Sequence, residues 1–446
     1  MESLETLINS ITGFLWGAPL LFLLVGGGLF LTFRLRFIQF RRFGYVWSQT
    51  LGALFRRSKR ESNKKGTITP FQAVTAELGS TVGASNIIGP SVALFFGGPG
   101  AIFWMWVTAF VGMATKYSEI VLSILYREKN EKGEYVGGPM YYLKKGLKSP
   151  FLSSLFAFIF MLEIFSSIMV QANSASGSGK SLGISPIVSG LIISVMIGLI
   201  LMGGVKRVGK VSEKFVPFMS SLYLMGCVGI ILFHIQVIPQ VFVMIFKGAL
   251  TGKAAFGGTA GGAVLLALRW GMARGAYSNE AGMGSAPIAH AAAITDHPSR
   301  QGLWGVISVF FDTIVIGTMS ALVLLCTGVW QNKEIEASAM PATAFSELYG
   351  TIGGILVSSS LFLFVISTIY VIGFYGEKLA YYLFGYKFSV AMRLIYVGGC
   401  FIGAIGGLKF MWIFLDFFLG LVVIINMVGV LGLSSKVVKT SKEFFC

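Results

Sequence analysis

Long apolar runs are the feature that most constrains this chain. Leu191–Met202 and Leu361–Phe374 contain no charged residue, and several other runs approach the roughly 20 residues that cross a bilayer as a helix. Because a chain inside lipid must satisfy its backbone hydrogen bonds internally, these segments are expected to be helices. A β-barrel would instead show short segments of alternating polarity. Charged residues make up only 12% of the chain, against about 25% in an ordinary soluble domain. The sequence therefore predicts an all-α integral membrane protein.

The apolar pattern predicts about eleven membrane-spanning helices. Most of the 35 Lys and Arg residues fall in alternate loops, and positively charged loops stay on the cytoplasmic side. This distribution predicts an external N-terminus, a cytoplasmic C-terminus and an odd number of spans, in a multi-pass protein of a bacterial-type plasma membrane. The predicted spans are 12–33, 68–95, 100–126, 150–172, 183–203, 214–235, 258–292, 302–329, 352–376, 390–407 and 410–433.

Charge and cysteine content narrow the classes of partner. The net charge of +16 comes from the cytoplasmic loops, so it does not indicate nucleic-acid binding. The four cysteines form no CxxC pair, which argues against a zinc site. We expect no obligatory protein partner. We divide the chain into residues 1–67, which hold an extra N-terminal helix and a basic cytoplasmic loop, and the core at 68–446.

Two of the predicted spans are interrupted by residues that suit a broken helix. Gly79–Pro90 and Gly271–Pro287 place Gly, Ser, Asn and Pro within apolar segments. Gly and Pro weaken a helix, and Ser and Asn can bond to the backbone groups that are freed. Both segments are therefore expected to unwind near the middle of the bilayer.

The positions of the two interruptions indicate an inverted repeat. Without the first helix, the interrupted spans are the first and the sixth of ten, so each begins a five-helix half (about 68–235 and 258–433) of opposite orientation. One Gly-rich helix alone indicates only close packing. A matched pair is typical of secondary transporters, which bind their cargo between the two halves.

Interrupted helices suit a zwitterion and a hard cation. Exposed helix N-termini attract anions and C-terminal carbonyls attract cations, so amides near Gly83–Ser85 suit a carboxylate and carbonyls near Tyr277–Asn279 suit an ammonium group. Oxygen ligands suit Na⁺. The carbonyls of Gly79 and Val82 and the hydroxyls of Ser367-Thr368 are candidates, although such hydroxyls often bond to their own helix.

Several ionisable residues lie in the predicted spans, where they are costly and normally face the interior. We expect Lys116 and Glu119 to pair with each other, three residues apart on one helix. Arg274 and Glu280 are expected to brace the second interruption. Glu77 is a possible coupling residue, since it precedes the predicted sodium carbonyls by about one turn. The full set is Glu77, Lys116, Glu119, Glu163, Arg269, Arg274, Glu280, Asp312 and Asp416.

Several longer motifs resemble one family, the alanine or glycine:cation symporters, also called the sodium:alanine symporter family. The resemblance implies a LeuT-like fold of five plus five inverted helices, co-transport with Na⁺, and substrates such as L-alanine, D-alanine or glycine. The matching motifs are GGPGAIFWMW at 97–106, GMATKYSE at 112–119, GGPMYYL at 137–143, ARGAYSNEAGMGSAP at 273–287, FFDT at 310–313 and YGE at 375–377.

The resemblance also implies roles for particular residues. It assigns a sodium role to Ser367-Thr368 and a pocket role to Gln171. Ser85 replaces a family glycine, and Tyr277 replaces a phenylalanine. Val371-Ile372 stand where the family has Gly-Trp, and Glu77 stands where it has a small neutral residue. The expected substrate residues are Gly83, Ser85, Asn86, Gln171, Tyr277, Ser278, Asn279 and Ile372, and the expected sodium residues are Gly79, Val82, Ser367 and Thr368.

These observations predict a secondary active transporter that couples Na⁺ to a small neutral amino acid, alanine or glycine, by alternating access. No organic cofactor is expected. A proton-coupled carrier of the same fold is the alternative, because Glu77 lies near the predicted cation site. A channel would need a continuous polar pore, whereas polarity here is concentrated at two interruptions. An enzyme is not predicted, since no metalloprotease, nucleotide-binding or nucleophile–base motif is present.

Overall fold

The computed structural model describes residues 2–54, 65–181, 183–251, 260–406 and 409–445. Within these ranges lie 22 α-helices and one antiparallel ribbon of two short strands, β1 (Glu128–Lys129) and β2 (Tyr135–Val136). The predicted helical membrane architecture is confirmed. Residues 55–64 of the predicted basic loop, the start of the seventh predicted span at 258–259 and the end of the tenth at 407 lie outside the described residues.

The first half of the chain holds fourteen helices, and the π-helical turn Phe22–Gly26 joins α2 to α3. The helices are α1 (Glu2–Leu15), α2 (Ala18–Leu21), α3 (Gly27–Arg34), α4 (Ile38–Arg41), α5 (Phe43–Gln49), α6 (Leu51–Leu54), α7 (Pro70–Thr81), α8 (Ala84–Gly97), α9 (Gly100–Tyr126), α10 (Pro139–Lys145), α11 (Pro150–Ser181), α12 (Pro186–Leu201), α13 (Gly204–Phe233) and α14 (Ile238–Leu250).

The second half holds the remaining eight helices, and a longer π-helical segment, Phe310–Gly317, joins α17 to α18. The helices are α15 (Ala260–Asn279), α16 (Ala286–His290), α17 (Pro298–Val309), α18 (Thr318–Thr327), α19 (Met340–Tyr349), α20 (Thr351–Ile405), α21 (Lys409–Gly432) and α22 (Ser434–Phe445). Gly385 has φ 80° and divides α20 into two helical segments.

Seven helical segments of the described chain are long and apolar enough to cross a membrane, and the bent pair α7–α8 makes eight. Each of the eleven predicted spans contains helix, but the fifth holds only the shorter apolar helix α12, and the ninth and tenth both fall on α20. The other shorter apolar helix, α14, lies between the sixth and seventh predicted spans and belongs to neither. The total of eleven spans and the five-plus-five repeat stay predictions. The seven segments are Ser10–Arg34, Gly100–Tyr126, Pro150–Lys180, Gly204–Phe233, Pro298–Thr327, Thr351–Ile405 and Met411–Gly432.

Local sequence sets the start of the first interrupted helix. The Thr69 hydroxyl accepts a hydrogen bond from the Gln72 amide, and the Gln72 side chain accepts one from the Thr69 amide, both at 3.1 Å. Pro70 then occupies the first helical position, where a missing amide proton costs nothing. This capping box fixes where α7 begins, twelve residues before its break.

Packing brings the two interrupted helices together. Helix α15 packs against α8 and α9, and α7 packs against α13 and α20. The chain before α7 also pairs with the chain after α16, since the Thr67 amide donates to the Ala292 carbonyl at 2.7 Å and the Ile294 amide donates to the Ile68 carbonyl at 2.8 Å. Backbone hydrogen bonds therefore join the N-terminal end of the first interrupted segment to the C-terminal end of the second.

Candidate functional site

The first interruption separates α7 from α8, which meet at a bend of 45°. Gly83 is extended, and the side-chain carbonyl of Asn86 accepts a hydrogen bond from its amide at 3.0 Å. The amides of Ala84 and Ser85 follow in the first turn of α8, where a helix offers no internal acceptor. This end of α8 therefore presents backbone donors and the positive end of a helix dipole.

The second interruption lies between Asn279 and Ala286 and is held by side chains from elsewhere in the chain. Glu280, Gly282 and Gly284 all have positive φ (53°, 94° and 81°). The Gly284 amide donates to Glu119 Oε1 at 3.0 Å, and Asn426 Nδ2 donates to the Gly282 carbonyl at 2.8 Å. A non-glycine residue in this conformation costs about 1–3 kcal/mol and persists only where its surroundings enforce it.

Asp312 joins the two interruptions. It lies in the π-helical segment after α17, is fully buried, and accepts hydrogen bonds from Asn86 Nδ2 (2.8 Å), Ser278 Oγ (2.7 Å) and Thr313 Oγ1 (2.8 Å). Asn86 belongs to the first interruption, and Ser278 lies just before the second. The sequence marked Asp312 only as an ionisable residue in a span. Its contacts connect the two interruptions, which Asn86 also links directly by donating from Nδ2 to Ser278 Oγ at 3.2 Å.

The hydroxyl pair of α20 meets the end of α7. Ser367 Oγ lies 3.0 Å from the Gly79 carbonyl oxygen, and Thr368 Oγ1 lies 3.4 Å from the Ser80 carbonyl oxygen. Both hydroxyls also contact the Phe364 carbonyl of their own helix. A Cβ atom at Gly83 would lie only 3.0 Å from Thr368 Oγ1, so the close approach favours glycine. We call these two carbonyls and two hydroxyls the oxygen cluster. Neutral oxygen atoms of this kind suit a hard cation.

A cavity of about 590 Å³ lies beside both interruptions, within the range of small-molecule sites. It is lined by six of the sequence-predicted residues: Gly83, Ser85, Gln171, Tyr277, Thr368 and Ile372. The other six are not among its described lining residues: Gly79, Val82, Asn86, Ser278, Asn279 and Ser367. Thr368 is the one predicted residue that belongs both to the cavity wall and to the oxygen cluster.

Five ionisable side chains also line the cavity: Glu163, Arg269, Arg274, Glu280 and Asp416. None of them forms a salt bridge with another residue in the described part of the chain. Glu280 accepts a hydrogen bond from Ser285 Oγ at 2.5 Å, as expected of a brace across the interruption. The Arg274 guanidinium instead lies 5.5 Å from the ring centre of Trp270.

Glu77 is paired, and the predicted Lys116–Glu119 pair is wrong. Lys116 Nζ lies 3.4 Å from Glu77 Oε1, whereas Glu119 accepts hydrogen bonds from Asn426 and the Gly284 amide. His290 Nε2 lies 2.8 Å from Glu77 Oε2. Tertiary packing, and not helical spacing, therefore sets the ion-pair partner of Lys116. Glu77 is not among the described residues that line the cavity, and its carboxylate also accepts a hydrogen bond from Ser308 Oγ at 2.7 Å, so a coupling role stays a prediction.

We expect the main effect of Glu77→Gln to be a loss of thermal stability, and not a change in the pH dependence of uptake. The change leaves the Lys116 ammonium buried without its carboxylate, which costs about 3–5 kcal/mol in comparable buried pairs. Thermal unfolding in detergent should show a clear fall in midpoint. Glu134→Gln, which removes a more exposed partner of Lys378, is the control and should change the midpoint little. An unchanged midpoint for Glu77→Gln together with a shifted pH profile of uptake would contradict this stability prediction and favour a coupling role for Glu77.

Comparison with known proteins agrees with the geometry. The model of the sodium:alanine symporter family matches residues 1–446. An uncharacterized transporter of Bacillus subtilis, YflA, is 47% identical, over 100% of this chain and 94% of the relative. The sodium/alanine symporter AgcS of Methanococcus maripaludis is 40% identical, over 98% of this chain and 97% of the relative. A probable sodium/glutamine symporter of Bacillus subtilis, GlnT, is 33% identical, over 99% and 91%.

These relatives are named as transporters, and the apolar helices of the structure are those of a multi-pass membrane protein. The family match covers every motif on which the expected resemblance rested, from GGPGAIFWMW at 97–106 to YGE at 375–377. The chain belongs to the sodium:alanine symporter family.

Proposed function

We propose that the chain carries a small neutral amino acid, alanine or glycine and including D-alanine, together with Na⁺ by alternating access. One observation carries the proposal: a single cavity touches both interrupted helices, and Thr368 in its wall also belongs to the oxygen cluster. A substrate in the cavity and an ion at the cluster would share this residue. Binding of either would then favour the backbone arrangement that the other needs.

The substrate is proposed to lie between the two interruptions. Its carboxylate binds the first-turn amides of Ala84 and Ser85, and its ammonium group binds carbonyls at the end of α15, near Tyr277–Asn279. The Gln171 amide contributes hydrogen bonds, and Ile372 sets the cavity size. Asn86, Ser278 and Asn279 are proposed to shape the site from behind its wall, since their side chains bond to Gly83, Asp312 and Thr313.

The ion is proposed to bind at the end of α7, held by the carbonyls of Gly79 and Val82 and the hydroxyls of Ser367 and Thr368, with the Ser80 carbonyl of the oxygen cluster as a further ligand. The fold that carries both sites is proposed to have eleven spans, with residues 1–67 as an addition to a LeuT-like core of two halves, about 68–235 and 258–433. Rocking of these halves exposes the site alternately to each side. The N-terminus is proposed to lie outside and the C-terminus in the cytoplasm.

The direct test is uptake of labelled alanine and glycine by proteoliposomes. An inward Na⁺ gradient is compared with an equal K⁺ gradient and with an inward proton gradient in K⁺. We expect accumulation only with Na⁺. Uptake driven by protons alone would favour the proton-coupled carrier. In that carrier Glu77, which contacts Lys116 and His290, is the proposed coupling residue.

Gln171→Leu should weaken substrate binding. Gln171 lines the cavity, and its side chain makes no hydrogen bond to another residue of the described chain, so its amide is free for a ligand. Removing one hydrogen bond to a charged group costs about 1.5–3 kcal/mol. The substrate concentration for half-maximal uptake should therefore rise about tenfold or more.

Ser178→Ala is the matched control for Gln171→Leu. Ser178 lies on the same helix, but its hydroxyl bonds to the Ser174 carbonyl and it does not line the cavity. The substrate concentration for half-maximal uptake by Ser178→Ala should stay at the wild-type value. Equal half-saturation for Gln171→Leu and wild type would remove Gln171 from the substrate site.

A further inference from the structure

A second cavity, far smaller than the first, lies where the first span meets the C-terminal helix. It has a volume of about 180 Å³ and is bounded by residues 34–42 on one side and by α22 on the other. Five cationic side chains line it: Arg34, Arg36, Arg41, Arg42 and Lys442. We call this cavity the basic groove. The remaining wall is mainly apolar and includes Ile38 and Phe445.

Both walls of the basic groove are held in place. Ser441 of α22 is hydrogen-bonded to the buried Tyr117 hydroxyl of α9 at 2.8 Å. Arg34 donates to Ser435 Oγ at 2.9 Å, which ties the end of the first span to the start of α22. The Arg42 guanidinium lies 5.5 Å from the ring centre of Phe445. The groove is therefore part of the packed fold and not a gap between loose ends.

The charge of the basic groove is not balanced by its own lining. None of the described lining residues is acidic. Glu443, which adjoins Lys442 in sequence, is already within 4.0 Å of Lys439. Five like charges around a small space repel one another, and an anion among them relieves that repulsion. Arginine forks match the oxygen atoms of a phosphate group in particular.

The position of the groove identifies which anion meets it. Arg34 is the last residue of the apolar span Ser10–Arg34, so the groove lies where a bilayer meets water. Phe33 and Phe40, beside it in sequence, are 64% and 51% exposed and offer apolar surface to lipid acyl chains. Lipid head groups occupy this depth at high local concentration.

We propose that the basic groove binds the phosphate of an anionic phospholipid, with the acyl chains alongside Phe33 and Phe40. The bound lipid fastens α22 to the end of the first span. A zwitterionic lipid carries a cationic group next to its phosphate, which the same arginines repel, so it binds more weakly. This inference does not depend on the transported substrate or on the coupling ion.

The test counts bound lipid on the full-length protein by native mass spectrometry after titration with phosphatidylglycerol or phosphatidylcholine. The variant Arg36→Gln/Arg41→Gln/Arg42→Gln removes three groove cations and leaves the Arg34–Ser435 bond. The control Lys206→Gln/Lys210→Gln/Lys214→Gln removes three exposed lysines outside the groove lining. We expect wild type and control to retain phosphatidylglycerol alike, and the groove variant to bind it at least about tenfold more weakly.

Three results would overturn the proposal. The first is equal retention by the groove variant and the control, which would mean that only bulk charge attracts the lipid. The second is equal retention of phosphatidylglycerol and phosphatidylcholine by the wild type. The third comes from thermal unfolding with inorganic phosphate in place of lipid. If phosphate alone raises the midpoint as far as phosphatidylglycerol does, the site takes a free anion and not a lipid.

Discussion

Thr368→Val lowers sodium-driven alanine uptake by about tenfold or more and raises the sodium concentration needed for half-maximal uptake. Thr368 Oγ1 lies 3.4 Å from the Ser80 carbonyl and faces the cavity. Valine keeps the shape of threonine but removes the oxygen atom. The proposed ion site then loses one of its oxygen ligands. Initial rates of uptake across a sodium titration give both quantities.

Two further variants separate an ion ligand from a packing residue. Thr368→Ser restores the hydroxyl and should recover most of the sodium affinity. Ser360→Ala removes another buried hydroxyl of α20, one without a hydrogen-bond partner among the described residues, and should leave uptake near the wild-type value. A Thr368→Val protein with an unchanged sodium titration would mean that the oxygen cluster is not the ion site.

Asp312→Asn should nearly abolish uptake, mainly by lowering its maximal rate. The carboxylate accepts three hydrogen bonds at 2.7–2.8 Å from residues of both interruptions and from Thr313. Asparagine carries no charge, and its amide group would face one of those donors. Hydrogen bonds to a charged group contribute about 1.5–3 kcal/mol each, so the two interrupted segments should no longer be held in their present relative position. Uptake per folded molecule and the unfolding midpoint are measured together.

Ser320→Ala is the control for Asp312→Asn. Ser320 lies on α18, just after the π-helical segment, and its hydroxyl is hydrogen-bonded to the Tyr223 hydroxyl at 2.8 Å. Its loss should lower the midpoint modestly and leave uptake per folded molecule unchanged. If Asp312→Asn behaves in the same way, Asp312 stabilises the fold without setting the geometry of the site.

The sequence predicts the interruptions well because their cause is local. Gly, Ser, Asn and Pro weaken a helix wherever they cluster, and both clusters coincide with breaks, at Gly83 and at Glu280–Ser285. The family resemblance assigns a sodium role to Ser367-Thr368, which implies that this pair lies near the other predicted sodium residues at the end of α7. The structure places these hydroxyls against the carbonyls of Gly79 and Ser80.

Side-chain partners distant in sequence are harder to predict. Lys116 has Glu119 one turn away, and helical spacing alone favours that pair. Tertiary packing instead brings Glu77 to Lys116 and to His290, which is 213 residues from Glu77 in sequence. Asp312 and Asn86 are 226 residues apart. No periodicity in the sequence encodes such contacts, since they depend on how complete helices pack.

Helix boundaries also depend on packing. The predicted span 352–376 lies within α20 (Thr351–Ile405), and the span 390–407 overlaps it up to Ile405; only Gly385, at φ 80°, departs from helical geometry inside this helix. The apolar pattern predicts two spans joined by a loop at 377–389. In the structure that stretch remains helical on both sides of the glycine.

The most direct test of sodium-coupled symport is alanine-driven entry of tracer sodium into proteoliposomes that start with equal sodium on both sides. With equal total sodium on both sides, tracer enters without alanine only by leak and by exchange, so entry above this alanine-free baseline reports coupling to alanine. We expect external alanine to accelerate tracer sodium entry in the wild type, and we expect this acceleration to be absent in Thr368→Val. Entry of labelled alanine without any accompanying sodium in the same vesicles would contradict the account.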